Sequence, residues 1–310
     1  MKVHYGIDNY NPRKFSVVTT GTFDGVHLGH RKLLNKLIQT AKEKEGETVV
    51  VTFHPHPRLV LNPDLELKLL NSLDERINRL QEAGVDHLVL LPFTREFSRQ
   101  SSLHFVRDVL VNGIGVGMVV VGYDHHFGRN REGTFEDLEE YGLTYGFEVQ
   151  RISAHTLDEI NISSTKIRKA LAAGELAIAH EFLGYDYEIE GEVIRGRSLG
   201  SKIGFPTANI KVLDHHKLVP ANGVYAVEVE LKDEKAFGMM NIGVKPTVQE
   251  SGIQNIEVHL FYFSQNIYGA KVKIKLKKRI RDEQRFDSLD ALKARLVEDR
   301  RQSKLILGIK

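Results

Sequence analysis

The 310-residue chain has no cysteine and no tryptophan, only 8 prolines, and almost no net charge, with 43 basic residues against 41 acidic ones. Without cysteine, a disulfide framework and a thiolate zinc site are both excluded, which suits a reducing cytosol. The balanced charge speaks against a protein that coats nucleic acid, since such proteins carry a basic excess. No apolar run approaches the roughly 20 residues that a membrane-spanning helix needs. Met1 to Tyr10 is polar and does not read as a secretory signal. These absences lead us to expect a cytoplasmic protein with no membrane or nucleic-acid partner. Apolar residues at 41% and charged residues at 27% are an ordinary globular mixture, and the length suits two domains.

The first half alternates apolar runs with amphipathic segments. Phe15 to Thr20, Thr48 to Phe53, His87 to Leu91 and Met118 to Val121 read as strands. Leu33, Leu34, Leu37, Ile38 and Ala41 repeat at helical spacing, and Leu73 to Ala83 and Leu103 to Leu110 also read as helices. Strands that are apolar throughout, separated by helices, predict a parallel sheet covered on both faces, an α/β arrangement. Ligands then bind at the carboxyl ends of the strands, which directs attention to the turns after residues 20, 53 and 121. The second half changes period. Tyr225, Val227, Val229 and Leu231 alternate with Ala226, Glu228 and Glu230, and Val272, Ile274 and Leu276 with lysines. This period of two, with recurrent glycines, predicts a small antiparallel β-barrel or sandwich. A last helix, capped by Asp287 or Ser288, would close it through a stripe of Leu289, Leu292 and Leu296. The change of period sets domains at 1–183 and 184–310.

Thr20-Gly21-Thr22-Phe23-Asp24-Gly25-Val26-His27-Leu28-Gly29-His30 follows a strand and opens a helix. Gly21 and Gly25 permit a tight turn. His27 and His30 share one face of the first helical turn, where the helix dipole favours phosphate. Gly29 between them is expected to leave room for a base or ribose. Nucleotidyl transfer needs donors that hold a triphosphate and stabilise its leaving part, and two imidazoles on a helix end supply them. Ser163-Ser164-Thr165-Lys166-Ile167-Arg168 offers hydroxyls and cations at another helix start, about 135 residues downstream. Either element by itself also fits a capped helix. His54, His56, His125 and His126 lack the i, i+4 spacing of a zinc site, so we expect no transition metal and only Mg²⁺ arriving with ATP.

In the second half, Gly196 to Asn209 joins a Gly-rich loop to a Phe205-Pro206 turn without the Walker spacing. Thr207 and Asn209 project to one side and offer neutral oxygens suited to Mg²⁺ beside a phosphate. Glu257 shares its strand face with His259, Phe261 and Phe263, an unusual place for a carboxylate. A general base for a primary alcohol belongs in such a partly desolvated cleft. An edge carboxylate facing water is the alternative.

The His27/His30 and Ser163–Arg168 elements together resemble the HxGH nucleotidyltransferases, and within them the FMN adenylyltransferase module of bacterial FAD synthetases. That resemblance implies a Rossmann-like nucleotidyltransferase domain. It implies roles for His27 and His30 in catalysis, and for Gly21, Thr22, Phe23, Gly29, Ser163, Ser164, Thr165 and Arg168 in binding ATP and phosphate. Thr52-Phe53-His54-Pro55-His56-Pro57 resembles the family's flavin-side loop, which carries His54, Pro55 and Pro57 into the flavin site. Gly122-Tyr123-Asp124-His125-His126-Phe127-Gly128 resembles its nucleotide-touching stretch through Asp124, with His125 replacing the usual aromatic and Thr22 standing where many members have Asn. Gly204-Phe205-Pro206-Thr207-Ala208-Asn209 and the Glu257 strand resemble the riboflavin kinase family. That implies Glu257 as catalytic base, Gly204 and Thr207 at phosphate, and Thr207 and Asn209 at Mg²⁺. Asn241 to Thr247 resembles a further stretch of the family. Arg281-Asp282-Glu283-Gln284-Arg285-Phe286 resembles its flavin-bordering stretch and carries Arg281, Glu283 and Phe286 there. The order is that of prokaryotic bifunctional FAD synthetases, so the expected substrates are ATP, riboflavin and FMN, with flavins as substrate and product. Two rivals are a transferase for another acceptor, such as pantetheine phosphate, and a flavin or nucleotide sensor without turnover.

Overall fold

Six parallel strands make the first sheet: β1 (Lys2–Tyr5), β2 (Ser16–Thr20), β3 (Glu47–His54), β4 (His87–Pro92), β5 (Val116–Val121) and β6 (Glu148–Arg151), in the spatial order β1-β4-β3-β2-β5-β6. The computed structural model describes residues 1–8, 10–11, 14–152, 162–196, 200, 203–232, 234–244 and 254–310. Lys245 to Thr247 and parts of the Gly196–Lys202 loop, both included in the motifs above, lie outside the described residues. Successive strand residues divide between the two faces. Val18, Val49, Val51, Val89, Val119 and Val121 enter one core. Val17, Val50, Leu88, Met118 and Val120 enter the other, beneath α1 (Leu28–Glu43). Burial on both faces explains the unbroken apolar runs. β1 and β6 escape sequence reading because they are short and mostly polar, with only His4 fully buried between them.

The helices of this sheet are α1, α2 (Pro57–Leu61), α3 (Leu73–Glu82), α4 (Ser102–His104), a π-helical continuation over Phe105–Ile114, and α5 (Phe135–Tyr145). An ordinary helix was expected over 103–110. Phe105, Val106, Val109 and Leu110 are buried in the wider π coil, so their spacing does not separate the two forms. Strand order reverses beside β2: the chain runs out through β3 and β4, then crosses to β5 on β2's other side. A crevice opens at such a switch point.

By packing, the chain divides into Met1–Ser164 and Thr165–Lys310, earlier than the change of sequence period suggests. The reason is that α6 (Ser164–Ala173) and α7 (Leu176–Leu183) pack with the barrel: Ala221 donates its amide to the Leu171 carbonyl, and Arg279 lies against Gly174. The barrel is closed and antiparallel, in the order β10-β11-β8-β7-β12-β9. Its strands are β7 (Glu188–Ile194), β8 (Ala208–Val212), β9 (Gly223–Glu230), β10 (Lys235–Val244), β11 (Gln254–Leu260) and β12 (Lys271–Arg281). Val272, Ile274 and Leu276 fill its interior while Lys273 and Lys275 pair outside with Glu190 and Glu230.

The last helix, α8 (Leu289–Leu307), is capped by Ser288. It covers an outer patch of Phe205, Val224, Met239 and Phe261 with Leu296 and Leu307. The expected leucine stripe needs correction. Leu289 is 63% exposed, and the fully enclosed side chains of α8 are Asp299 and Ser303. β11 ends at Leu260, and just beyond it Tyr262 adopts left-handed backbone (φ 54°) with its ring exposed.

Candidate functional sites

The loop between β2 and α1 is held in a costly shape. Phe23 and Val26 adopt left-handed backbone, with φ of 48° and 35°, a state that costs on the order of 1–3 kcal/mol for a residue with a side chain. Both side chains are fully buried, which keeps them there. Phe23 therefore packs in the core, under Gly21 and against His30, and its ring offers nothing to a ligand. Asp24 is buried as well. Its Oδ1 accepts the Leu70 and Asn71 amides at 2.9 and 3.2 Å, and its carbonyl accepts the Ser164 hydroxyl at 2.9 Å. One residue of the downstream hydroxyl motif is thus brought to the histidine loop. Ser163 precedes it, and Thr165 and Arg168 continue along α6.

His27 caps α1, its Nδ1 accepting the His30 amide at 3.3 Å. The two imidazoles stack, with centroids 3.7 Å apart and planes 15° from parallel. Burial, then the neighbouring His27, holds the His30 pKa well below its usual value, so the ring is neutral. His30 Nδ1 is enclosed and makes no hydrogen bond, a tolerable state only without its proton. His27, whose Nδ1 accepts that amide, keeps Nδ1 bare and carries its N–H on Nε2. A Cβ on Gly29 would sit 3.2 Å from the His27 ring, so the glycine leaves room for that imidazole.

Three other features surround the loop. Gly21 ties it to β3 through its amide and the Val51 carbonyl, and the Thr22 carbonyl accepts the Thr52 hydroxyl. Across the switch point, His125 reaches Thr20 at 3.4 Å and stacks on Phe127. Burial lowers its pKa to about 4, with Asp124 opposing. Asp124 itself is exposed. At the end of β3, His54 and the following Pro55 are exposed, Pro57 is half-buried, and His56 caps α2. Arg76, which sequence reading missed, binds the two loops together. Its guanidinium is buried and donates to the Thr22 carbonyl at 2.8 Å and the Phe53 carbonyl at 3.1 Å. A signal was present: Arg76 lies three residues after Leu73 and four before Leu80, on the apolar face of α3.

In the barrel, strand pairing assembles the second site. Glu257 lies directly opposite Asn209 on β8 and opposite Asn241 on β10. Cross-strand partners share a sheet face, so carboxylate and amides meet. Thr207 donates its hydroxyl to Glu257 Oε2 at 3.2 Å, and Asn255 donates to Oε1 at 2.8 Å. His259, two residues along, is bonded to the Pro206 carbonyl at 2.8 Å and packs on Phe205, which fixes the Phe-Pro turn carrying Thr207. Gly204 enters that turn exposed, with φ 84°. Thr207, Asn209 and Glu257 together present hard oxygen donors, a set that suits Mg²⁺ carried by a phosphate. Glu283 binds the Asn222 amide at 3.2 Å, while Arg281 is turned to Asp299 and stands 5.8 Å from the Phe286 ring.

Residues 10–166 match the FAD synthetase family and residues 183–307 the riboflavin kinase family. The chain belongs to the bifunctional riboflavin kinase/FMN adenylyltransferase family. It is 39% identical to the protein of that description from Escherichia coli K12, aligned over 100% of this chain and 99% of that one. The Haemophilus influenzae protein of the same description is 41% identical over 91% of each chain. A crystal structure described as a macrolide-efflux protein from Streptococcus pneumoniae superposes with a TM-score of 0.86 at 32% identity, covering 96% of this chain and 97% of that one. Among the described residues here, no helix is long and apolar enough to cross a membrane.

Proposed function

We propose that the barrel unit phosphorylates riboflavin to FMN and that the first unit adenylylates FMN to FAD, both with ATP. The observation that carries the reading is the meeting of Glu257, Thr207 and Asn209, drawn from two motifs about fifty residues apart, in a chain whose other half presents the stacked His27–His30 pair. In the barrel, Glu257 takes the proton from the terminal ribityl hydroxyl. The resulting oxygen bonds to the γ-phosphorus of ATP as its bond to ADP breaks. Thr207 and Asn209 would hold Mg²⁺, which supplies charge neutralisation at the phosphates. Gly204 lets the turn approach them. Arg281, Glu283 and Phe286 border the flavin.

In the first unit, a phosphate oxygen of FMN bonds to the α-phosphorus of a second ATP and pyrophosphate leaves. Nε2–H of His27 and of His30 donate to the phosphate oxygens as charge builds on the leaving group. Gly21, Thr22 and the Phe23 backbone line that path with Asp124, and Ser163, Ser164, Thr165 and Arg168 bind the triphosphate. His54, Pro55 and Pro57 face the flavin. A functional division at residues 183/184 and a cytoplasmic setting fit this reading.

A chromatographic time course tests it. Protein with riboflavin, ATP and Mg²⁺ should give FMN and then FAD, and protein with FMN, ATP and Mg²⁺ should give FAD and pyrophosphate. Flavin binding without ATP consumption would overturn the enzymatic reading in favour of a sensor.

A further inference from the structure

We infer that Asp299 on α8 is a positioning residue for riboflavin, acting through Arg281 at the end of β12 and the loop that follows it. The inference rests on the kinase reading of the barrel. Asp299 is fully enclosed, and a buried carboxylate is costly unless it is paired and hydrogen-bonded. Arg295 of the same helix provides one partner, Nε to Oδ1 at 3.1 Å. The other comes from outside the helix. Arg281, the last residue of β12, places Nε 3.0 Å from both oxygens and Nη2 2.7 Å from Oδ2.

Arg281 has one nitrogen left, and Nη1 donates to the Asp282 carbonyl at 2.8 Å. All three guanidinium nitrogens are thus engaged within the protein, and the side chain sets the direction in which the backbone leaves the strand. The next residue, Glu283, reaches back to β10. Its Oε2 accepts from Asn222, and its Oε1 lies 2.1 Å from where a Cβ on Gly243 would stand. A side chain at Gly243 would have to displace that carboxylate. Gly243 is two residues from Asn241, which pairs with Glu257. Hydrogen bonds and a close approach therefore lead from the enclosed carboxylate of α8 through Arg281 and Glu283 toward the strand beside the candidate base. Arg281 acts on flavin by way of loop geometry, and the C-terminal helix is part of the kinase site's support.

The test uses the full-length protein. Riboflavin KM, ATP KM and kcat for FMN formation are measured for wild type, Asp299→Asn, Asp299→Glu, Arg281→Met and Arg295→Met. FMN adenylylation and the thermal midpoint are followed in the same preparations. Asp299→Asn and Arg281→Met should raise riboflavin KM about tenfold while ATP KM moves less than about threefold. Asp299→Glu should recover part of the loss. Arg295→Met takes an arginine from the same carboxylate without touching the loop, so riboflavin KM should stay within about threefold of wild type even where the midpoint falls. An unchanged riboflavin KM in Asp299→Asn, or an equal rise in Arg295→Met, would overturn the inference. If wild type itself leaves riboflavin unphosphorylated, the kinase reading fails separately. Asp299 is then judged on riboflavin affinity by fluorescence quenching, which Asp299→Asn should weaken by the same factor.

Discussion

In the proposed adenylylation site two stacked imidazoles stand on a helix end, whereas a carboxylate, a hydroxyl and amides meet in the proposed kinase site. The histidine loop does contain a carboxylate, but Asp24 is buried and its Oδ1 serves two backbone amides. The difference follows from the nucleophiles. FMN brings a phosphate that is already ionised, so adenylyl transfer needs donors for the leaving pyrophosphate and no base. Riboflavin brings an alcohol, whose proton must go somewhere as its oxygen bonds to phosphorus, and Glu257 is the base we propose for it. One chain thus carries two ATP-using sites whose side chains differ because one acceptor arrives charged and the other does not.

The comparison can be broken at the histidines. His27→Ala removes an Nε2 donor and the acceptor that caps His30. FAD formation from FMN should fall about 10²–10³-fold, with riboflavin phosphorylation unchanged. Parallel assays of the two half-reactions would show it, and an equal fall in both would mean that the sites are not separate.

A second effect belongs to buried imidazoles, whose pKa burial lowers in the first unit and, at His180 and His259, in the second as well. The unfolded His125 takes up a proton near pH 6.5, whereas the folded one waits until about 4. Between those values the unfolded state holds more protons, so stability falls as pH falls. His30, lowered in the same direction, adds to the loss. Urea denaturation followed by circular dichroism at pH 7 and pH 5 should show the decline. His125→Gln should remove up to about 2 kcal/mol of it, and an unchanged decline would refute the burial argument.

The smallest expected effect is at Gly29. A methyl group there presses on the His27 ring from 3.2 Å, a contact that small movements can relieve. Gly29→Ala should lower kcat for FAD formation about tenfold with little change in ATP KM. A large rise in ATP KM instead would return the space to the nucleotide.

Much of this was legible in the sequence, for identifiable reasons. Runs such as Thr48 to Phe53 are apolar on both faces because the sheet is covered on both faces. The lysine alternation of β12 marks its outer face. The H-x-G-H and G-F-P-T-A-N stretches concentrate chemistry within a few residues. What was missed depends on contacts distant in sequence. Arg76 meets carbonyls 54 and 23 residues away, and Asp299 meets an arginine 18 residues away. Both occupy the apolar face of their helix, so a charge on an apolar stripe was the available sign, and in α8 the stripe was read without it. The contact between Gly29 and the His27 ring was not legible, because a glycine beside a ligand and a glycine beside an imidazole look the same in sequence.

The contrast between the centres is tested most directly by Glu257→Gln, assayed for both half-reactions in one preparation. The substitution keeps the size of the side chain and removes its basicity. We predict that riboflavin phosphorylation falls by about 10²–10⁴ while FMN is adenylylated at the wild-type rate. Riboflavin phosphorylation within threefold of wild type would contradict the account.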